Sequence, residues 1–230
     1  MIKTFWIIII LMFSANLAVA GSVQGRITYN GKVPPPKIIK TGKYAKACGS
    51  EVTLDPLLVE KKGVKNTALW ISGKDAKKLD KSPGEYELNQ DKCRYVPHII
   101  VMTAGSELKI HSSDPFNHNI HTYSFDNDPI NIMFMPGSDH EQEFEEPEIV
   151  KVECDLHNWM QGWIVVTENS YFAISKKDGT YEIPELPPGK YTLTAWHETL
   201  GVMTQKIKVG KDGLKVDFEF PQISDTLTQK

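Results

Sequence analysis

The 230-residue chain sets 26 Lys and Arg against 29 Asp and Glu, a formal net charge of −3, with 40% hydrophobic residues. That balance excludes a basic nucleic-acid surface and wholesale disorder, and the length admits one or two domains.

Residues 1–20, MIKTFWIIIILMFSANLAVA, have a basic start at Lys3, an apolar centre from Phe5 to Phe13 and the small-residue pattern Ala18, Val19, Ala20. This pattern is that of a secretory signal peptide cleaved before Gly21. Its apolar centre is shorter than the ~20 residues a spanning helix needs, so no membrane span is expected after cleavage. The expected address is outside the cytosol, where disulfides are permitted.

Residues 22–30, SVQGRITYN, alternate as a strand does, and GKVPPP then breaks the pattern. Residues 37–63 are lysine-rich and only weakly periodic; apart from a short strand at Leu57–Val59 they read as a long loop pinned in part by Cys48. TALWIS, 67–72, is a strand, followed by a polar connection. From Tyr86 strands come quickly: YELNQ, HIIVMT at 98–103, a turn at Ala104 and Gly105, then SELKIHS at 106–112. Alternation and turn spacing predict an antiparallel sandwich. EQEFEEPEIVKVEC and GWIVVTE close this unit, and no stretch is convincingly helical. Residues 170–222 read as five further short strands separated by the turns KKDG and PPGK. Five short strands make a meagre core. SVQGRITYN is therefore expected to return and complete this second sandwich, the alternative being that it extends the first.

The stretch KVECDLHNWMQGWIVV, 151–166, carries the chemistry. Cys154, His157 and Met160 are separated by two residues each, between two strand-like runs. Thiolate, imidazole and a weak axial thioether are the donors of an electron-transfer copper site, which needs one more His. SSDPFNHNIHTYSF offers two, after a turn that Asp114 and Pro115 start. His118 enters the next strand, and His121, three residues on, should face the other side of that strand; His118 is the expected ligand and His121 the alternative. Zinc also accepts Cys and two His, but Met160 argues against it. With Cys154 assigned to a metal, Cys48 and Cys93 are left free to pair as a disulfide.

Residues 66–168 resemble a cupredoxin, the blue-copper fold of plastocyanin and amicyanin, through YVPHIIVMTAGSELKIHSSD, SSDPFNHNIH and the short ligand loop CDLHNWMQG. The resemblance implies that His118, Cys154, His157 and Met160 hold one type 1 copper ion. It also implies that Asn119 hydrogen-bonds the ligand loop and that Asn117 offers a carbonyl opposite the Met. DGTYEIPELPPGKYTLTAWHE, in the second unit, is similar to transthyretin-like and carboxypeptidase-regulatory modules; this implies fold and no chemistry.

The expected organisation is all-β: signal peptide 1–20, an N-terminal β segment and linker 21–65, a Greek-key copper sandwich 66–168, a small β-sandwich 169–222 and a tail 223–230. The expected function is that of a periplasmic type 1 copper protein carrying single electrons to and from redox partners such as a cytochrome or a periplasmic oxidoreductase, transforming no substrate. Trp159 and Trp163 are expected to flank the ligand loop, Trp159 as part of an apolar docking patch around an exposed His157 edge. The acidic run 141–148 could steer a basic partner. The alternative is a copper carrier that donates its ion to another protein, suggested by Met133 and Met135, for which core packing is the other reading.

Overall fold

A computed structural model describes residues 20–223; the signal segment, but for Ala20, and the tail from residue 224 lie outside that range. Among the described residues no helix is long and apolar enough to cross a membrane. The protein is all-β, and its described residues build four larger sheets and one two-stranded sheet.

The first sheet is organised on the N-terminal strand Gly21–Tyr29. It pairs antiparallel with Thr180–Leu186 and Gly63–Val64, and parallel with Leu214–Lys215 and Phe218–Phe220. The second runs Phe172–Ile174, Ala68–Ser72, Gly189–His197, Gly201–Val209. Ile27, Leu69, Ile71, Ile183, Leu193 and Phe218 fill the space between these two sheets. The KKDG turn brings Gly179 against the first sheet at φ 83°, where a Cβ would stand 2.3 Å from Ile27 O; only glycine fits.

The third sheet runs Asn131–Phe134, His118–Tyr123, Ile149–Glu153, Gln161–Thr167, Ile99–Thr103, and the fourth Asp139–Phe144, Ser106–Ser112, Glu85–Asp91, Arg94–Val96. Their shared core includes Met102, Leu108, Ile110, Ile120, Phe134, Val150 and Ile164. The sandwich is mixed and not purely antiparallel: Ile99–Thr103 runs parallel to Gln161–Thr167, and Glu85–Asp91 parallel to Ser106–Ser112.

TALWIS falls within the range expected for the copper unit, yet it pairs with Gly189–His197 and Phe172–Ile174 of the other sandwich. Its two faces explain this. Leu69 and Ile71 enter the core of that sandwich, while Ala68 and Trp70 turn toward Ile99, Val101 and Val165 of the third sheet. Ile99–Thr103 is buried at every position because Ile100 and Met102 face one core while Ile99 and Val101 face the seam between the sandwiches. Polar groups cross the same seam: the Glu198 carboxylate accepts from Trp163 Nε1 at 2.8 Å and meets His98 Nε2 at 2.5 Å.

Residues 37–63 are more ordered than a loop. Lys37–Lys40 and Glu51–Leu54 pair as a hairpin enclosing the one-turn helices Gly42–Tyr44 and Ala45–Cys48. A Cys48–Cys93 disulfide fixes this lobe to the sandwich of the third and fourth sheets. Each strand has only four residues, and in the first the apolar Ile38 faces solvent beside the half-buried Ile39, which is why the pattern is faint in the sequence.

Two outcomes test this architecture. Ile27 is fully buried, so Ile27→Ala should cost about 2–5 kcal/mol in denaturant unfolding of the full chain; a loss near zero would remove the N-terminal strand from the core. The second concerns pH. Burial pushes the His197 imidazole down to about 4, and its Nδ1 accepts from Thr199 N, which requires the neutral ring. The folded pKa therefore lies below the ordinary ~6.5, the unfolded chain binds more protons in between, and stability falls as pH drops from about 6.5 to about 4. The fall should be shallower in His197→Asn, and an unchanged slope would contradict the assignment.

Candidate metal centre

Antiparallel pairing of Ile149–Glu153 with Gln161–Thr167 leaves residues 154–160 as the connecting loop. The loop closes on itself: Met160 N donates to His157 O at 2.8 Å, and Cys154 N to Met160 O at 3.0 Å. His118 begins the neighbouring strand, and here the two segments converge. His118 Nδ1 stands 3.0 Å from His157 Nδ1; Cys154 Sγ stands 3.5 Å from His157 Nδ1 and 4.0 Å from His118 Nδ1. All three residues are buried, as is Met160, which packs in the same core as Cys154.

Asp114 sets the orientation of His118. Its Oδ2 lies 2.7 Å from His118 Nε2, and its carboxylate is itself fixed by Lys92 N at 2.8 Å and Cys93 N at 2.9 Å. With the Nε2 proton held by the carboxylate, Nδ1 of His118 is bare and faces the other two donors. Burial lowers the His118 imidazole against the opposing pull of Asp114. Burial, aided by the neighbouring His118, pushes His157 down to about 4. Both rings are thus neutral near pH 7, as metal binding requires. Burial raises the Cys154 thiol, so a thiolate here needs a cation beside it.

Asn119 ties the strand to the loop. Its Oδ1 accepts from Asp155 N at 2.7 Å and its backbone N–H points to Cys154 Sγ at 3.5 Å. The Tyr95 hydroxyl lies 2.6 Å from Asn119 O and 2.9 Å from Glu153 O. His121 lies on the opposite face, on Asp155 Oδ1 at 3.1 Å and stacked on Tyr123; the structure does not bring it to the cluster. Asn117 is exposed.

The expected exposed edge of His157 does not exist. The ring is 1% exposed, covered by Tyr44 at 4.4 Å between centroids, Trp159 at 5.3 Å and Phe116 at 6.0 Å. Trp159 is buried as part of this cover, and Trp163 lies in the seam. Met133 and Met135, for which core packing is one reading of the sequence, are 53% and 63% exposed. In the acidic run, Glu148 turns inward and caps Ser124, Phe125 and Asn127, while Glu141, Glu143, Glu145 and Glu146 stay exposed. Sequence reasoning misses Asp114 and Tyr44 as parts of the site. Asp114 reads only as a turn former before Pro115, although a carboxylate four residues ahead of a candidate ligand is a usable signal; Tyr44 carries none.

The donor set fits a soft or borderline cation: one thiolate, two imidazoles with facing Nδ1 atoms and a nearby thioether residue. Among solved structures, a copper-containing nitrite reductase from Thermus scotoductus SA-01 is 17% identical over 39% of this chain and 24% of its own, with a TM-score of 0.35. A purple cupredoxin from Nitrosopumilus maritimus is 21% identical over 36% of this chain and 99% of its own, TM-score 0.32. A single-site mutant of amicyanin in its Cu(I) form is 17% identical over 37% of this chain and 85% of its own, TM-score 0.34. The chain thus spans about a quarter of the reductase. The structural neighbours are cupredoxins, similar at this low level over little more than a third of the chain. The family description "Polysaccharide lyase family 4, domain II" matches residues 151–215, from the strand before Cys154 into the second sandwich. No curated protein matches.

Asp114→Asn should weaken metal affinity about 10–100-fold, read by competitive chelator titration of the full chain. Unchanged affinity would show that the Asp114–His118 contact does not orient a ligand.

Proposed function

We propose that this is an exported mononuclear type 1 copper protein that carries single electrons between redox proteins and transforms no substrate. The reading rests on one observation: Cys154 Sγ and the Nδ1 atoms of His118 and His157 face one another within 4.0 Å in a buried pocket. His118, Cys154 and His157 would hold the ion, with Met160 as the weak axial donor. Copper bound there supplies a one-electron couple, and soft thiolate with imidazole suits both of its oxidation states.

The chain's own part is to keep the donors still and dry. Asp114 holds the His118 proton at Nε2, Asn119 and Tyr95 fix the loop to the strand, and Tyr44, Phe116 and Trp159 exclude water from His157. Electrons would leave through this aromatic cover, because the His157 edge itself is closed. The exposed glutamates 141, 143, 145 and 146 would favour a basic partner, such as a cytochrome, in a periplasmic setting. The second sandwich contributes fold and, through the first-sheet pairing of Gly21–Tyr29, the anchor of the N-terminal lobe; no chemistry is assigned to it.

A carrier that hands copper to another protein is the second reading, favoured by the exposed thioethers of Met133 and Met135, the first of them on the strand beside His118–Tyr123.

Cu(II) loading should produce an intense visible charge-transfer band that disappears in Cys154→Ser, and a colourless, redox-silent complex would end the electron-transfer reading. Transfer of copper to an apo-acceptor faster than its dissociation would favour the carrier. Tyr44→Ala should raise the rate of electron exchange with a small soluble oxidant several-fold; an unchanged rate would place the exit elsewhere.

A further inference from the structure

The Cys48–Cys93 disulfide is not remote from the metal centre. Both of its sulfurs and a ring nitrogen of His157 lie within 4.8 Å of one another, and the Cys93 sulfur lies equally close to donor atoms of Asp114 and His118. All five residues are buried. His157 Nε2 is, in addition, buried with no hydrogen-bond partner among the described residues, an acceptor or donor left unpaired at a cost the fold ordinarily avoids.

We propose that dithiol reduction of Cys48–Cys93 unmasks a second soft-metal site, in which the two cysteine thiolates take up Cu(I), with His157 as a third donor only where no ion at Cys154 holds its one free ring nitrogen. The redox step is ordinary exchange: a dithiol attacks the bridge, becomes a disulfide itself and leaves two thiols, with both electrons and both protons coming from the dithiol. Each thiol gives up its proton when it binds the ion. Two thiolates are the soft donors that select Cu(I). The bridge thus acts as a lock: closed, it confines the chain to the donors at Cys154; open, it adds two sulfurs beside the same imidazole.

The architecture suits such a step. Cys48 sits on the one-turn helix of the small lobe outside the four sheets, whereas Cys93 lies on the tight turn between Glu85–Asp91 and Arg94–Val96. Opening the bridge lets the lobe shift while the sandwich holds Cys93. Cys48 is 8% exposed and Cys93 fully covered, which makes Cys48 the sulfur an incoming thiolate reaches first. No ion at Cys154 is needed for this step, so it stands or falls separately from the electron-transfer reading.

The test compares the full chain as isolated with the chain reduced by dithiothreitol and desalted without oxygen. Thiol titration after denaturation should give one thiol in the first and three in the second. Cu(I) titration against a chromophoric Cu(I) chelator should then show one more equivalent bound by the reduced chain. The double variant Cys48→Ser, Cys93→Ser should bind no more than the oxidised chain, before and after dithiothreitol. If the oxidised chain binds none and the reduced chain gains one, the type 1 reading fails and this one holds. Equal Cu(I) uptake by oxidised and reduced chains, with three thiols counted, would overturn the proposal. So would a bridge that dithiothreitol opens only in the unfolded chain.

Discussion

One asparagine joins the two halves of the site. The side-chain oxygen of Asn119 accepts from Asp155 N while its own backbone N–H points at Cys154 Sγ, so a single residue clamps the strand that starts with His118 to the loop that carries the other donors. The two segments lie 36 positions apart along the chain, and strand pairing of His121–Tyr123 with Lys151–Glu153 brings them side by side. Tyr95 reinforces the clamp from the fourth sheet by lying against the carbonyls of Asn119 and Glu153. Hydrogen bonds of this kind are strong where water is excluded and costly to leave unmade.

Exclusion of water is the second constraint. Burial keeps both imidazoles neutral and opposes ionisation of the Cys154 thiol, so the three facing donors carry no charge until a cation pairs with the thiolate. The lobe that supplies Tyr44 is itself held down by Cys48–Cys93 and by Arg94 donating to Thr53 O. The disulfide is thereby part of the pocket's wall.

The chemistry is more legible in the sequence than the architecture. Cys154, His157 and Met160 share one short loop, so their spacing alone brings them together, and the period-2 rule places His118 and His121 on opposite faces as the structure has them. Strand positions follow from alternation, but the partners of each strand do not. TALWIS is apolar on both faces, and nothing local says which of two cores will take Leu69 and Ile71. The lobe around Tyr44 is unreadable for the opposite reason: its strands are short, and the exposed Ile38 breaks the alternation. Asp114 is recognisable as a turn former and not as the His118 partner, because a contact across a turn leaves no periodic trace.

That a thiolate and two imidazoles from two distant segments meet on one copper ion is tested most directly by X-ray absorption at the copper edge of the loaded full chain. The prediction is a first shell of one short copper–sulfur and two copper–nitrogen distances, with the sulfur contribution lost in Cys154→Ser. A shell of nitrogen and oxygen alone in the unaltered chain would contradict it.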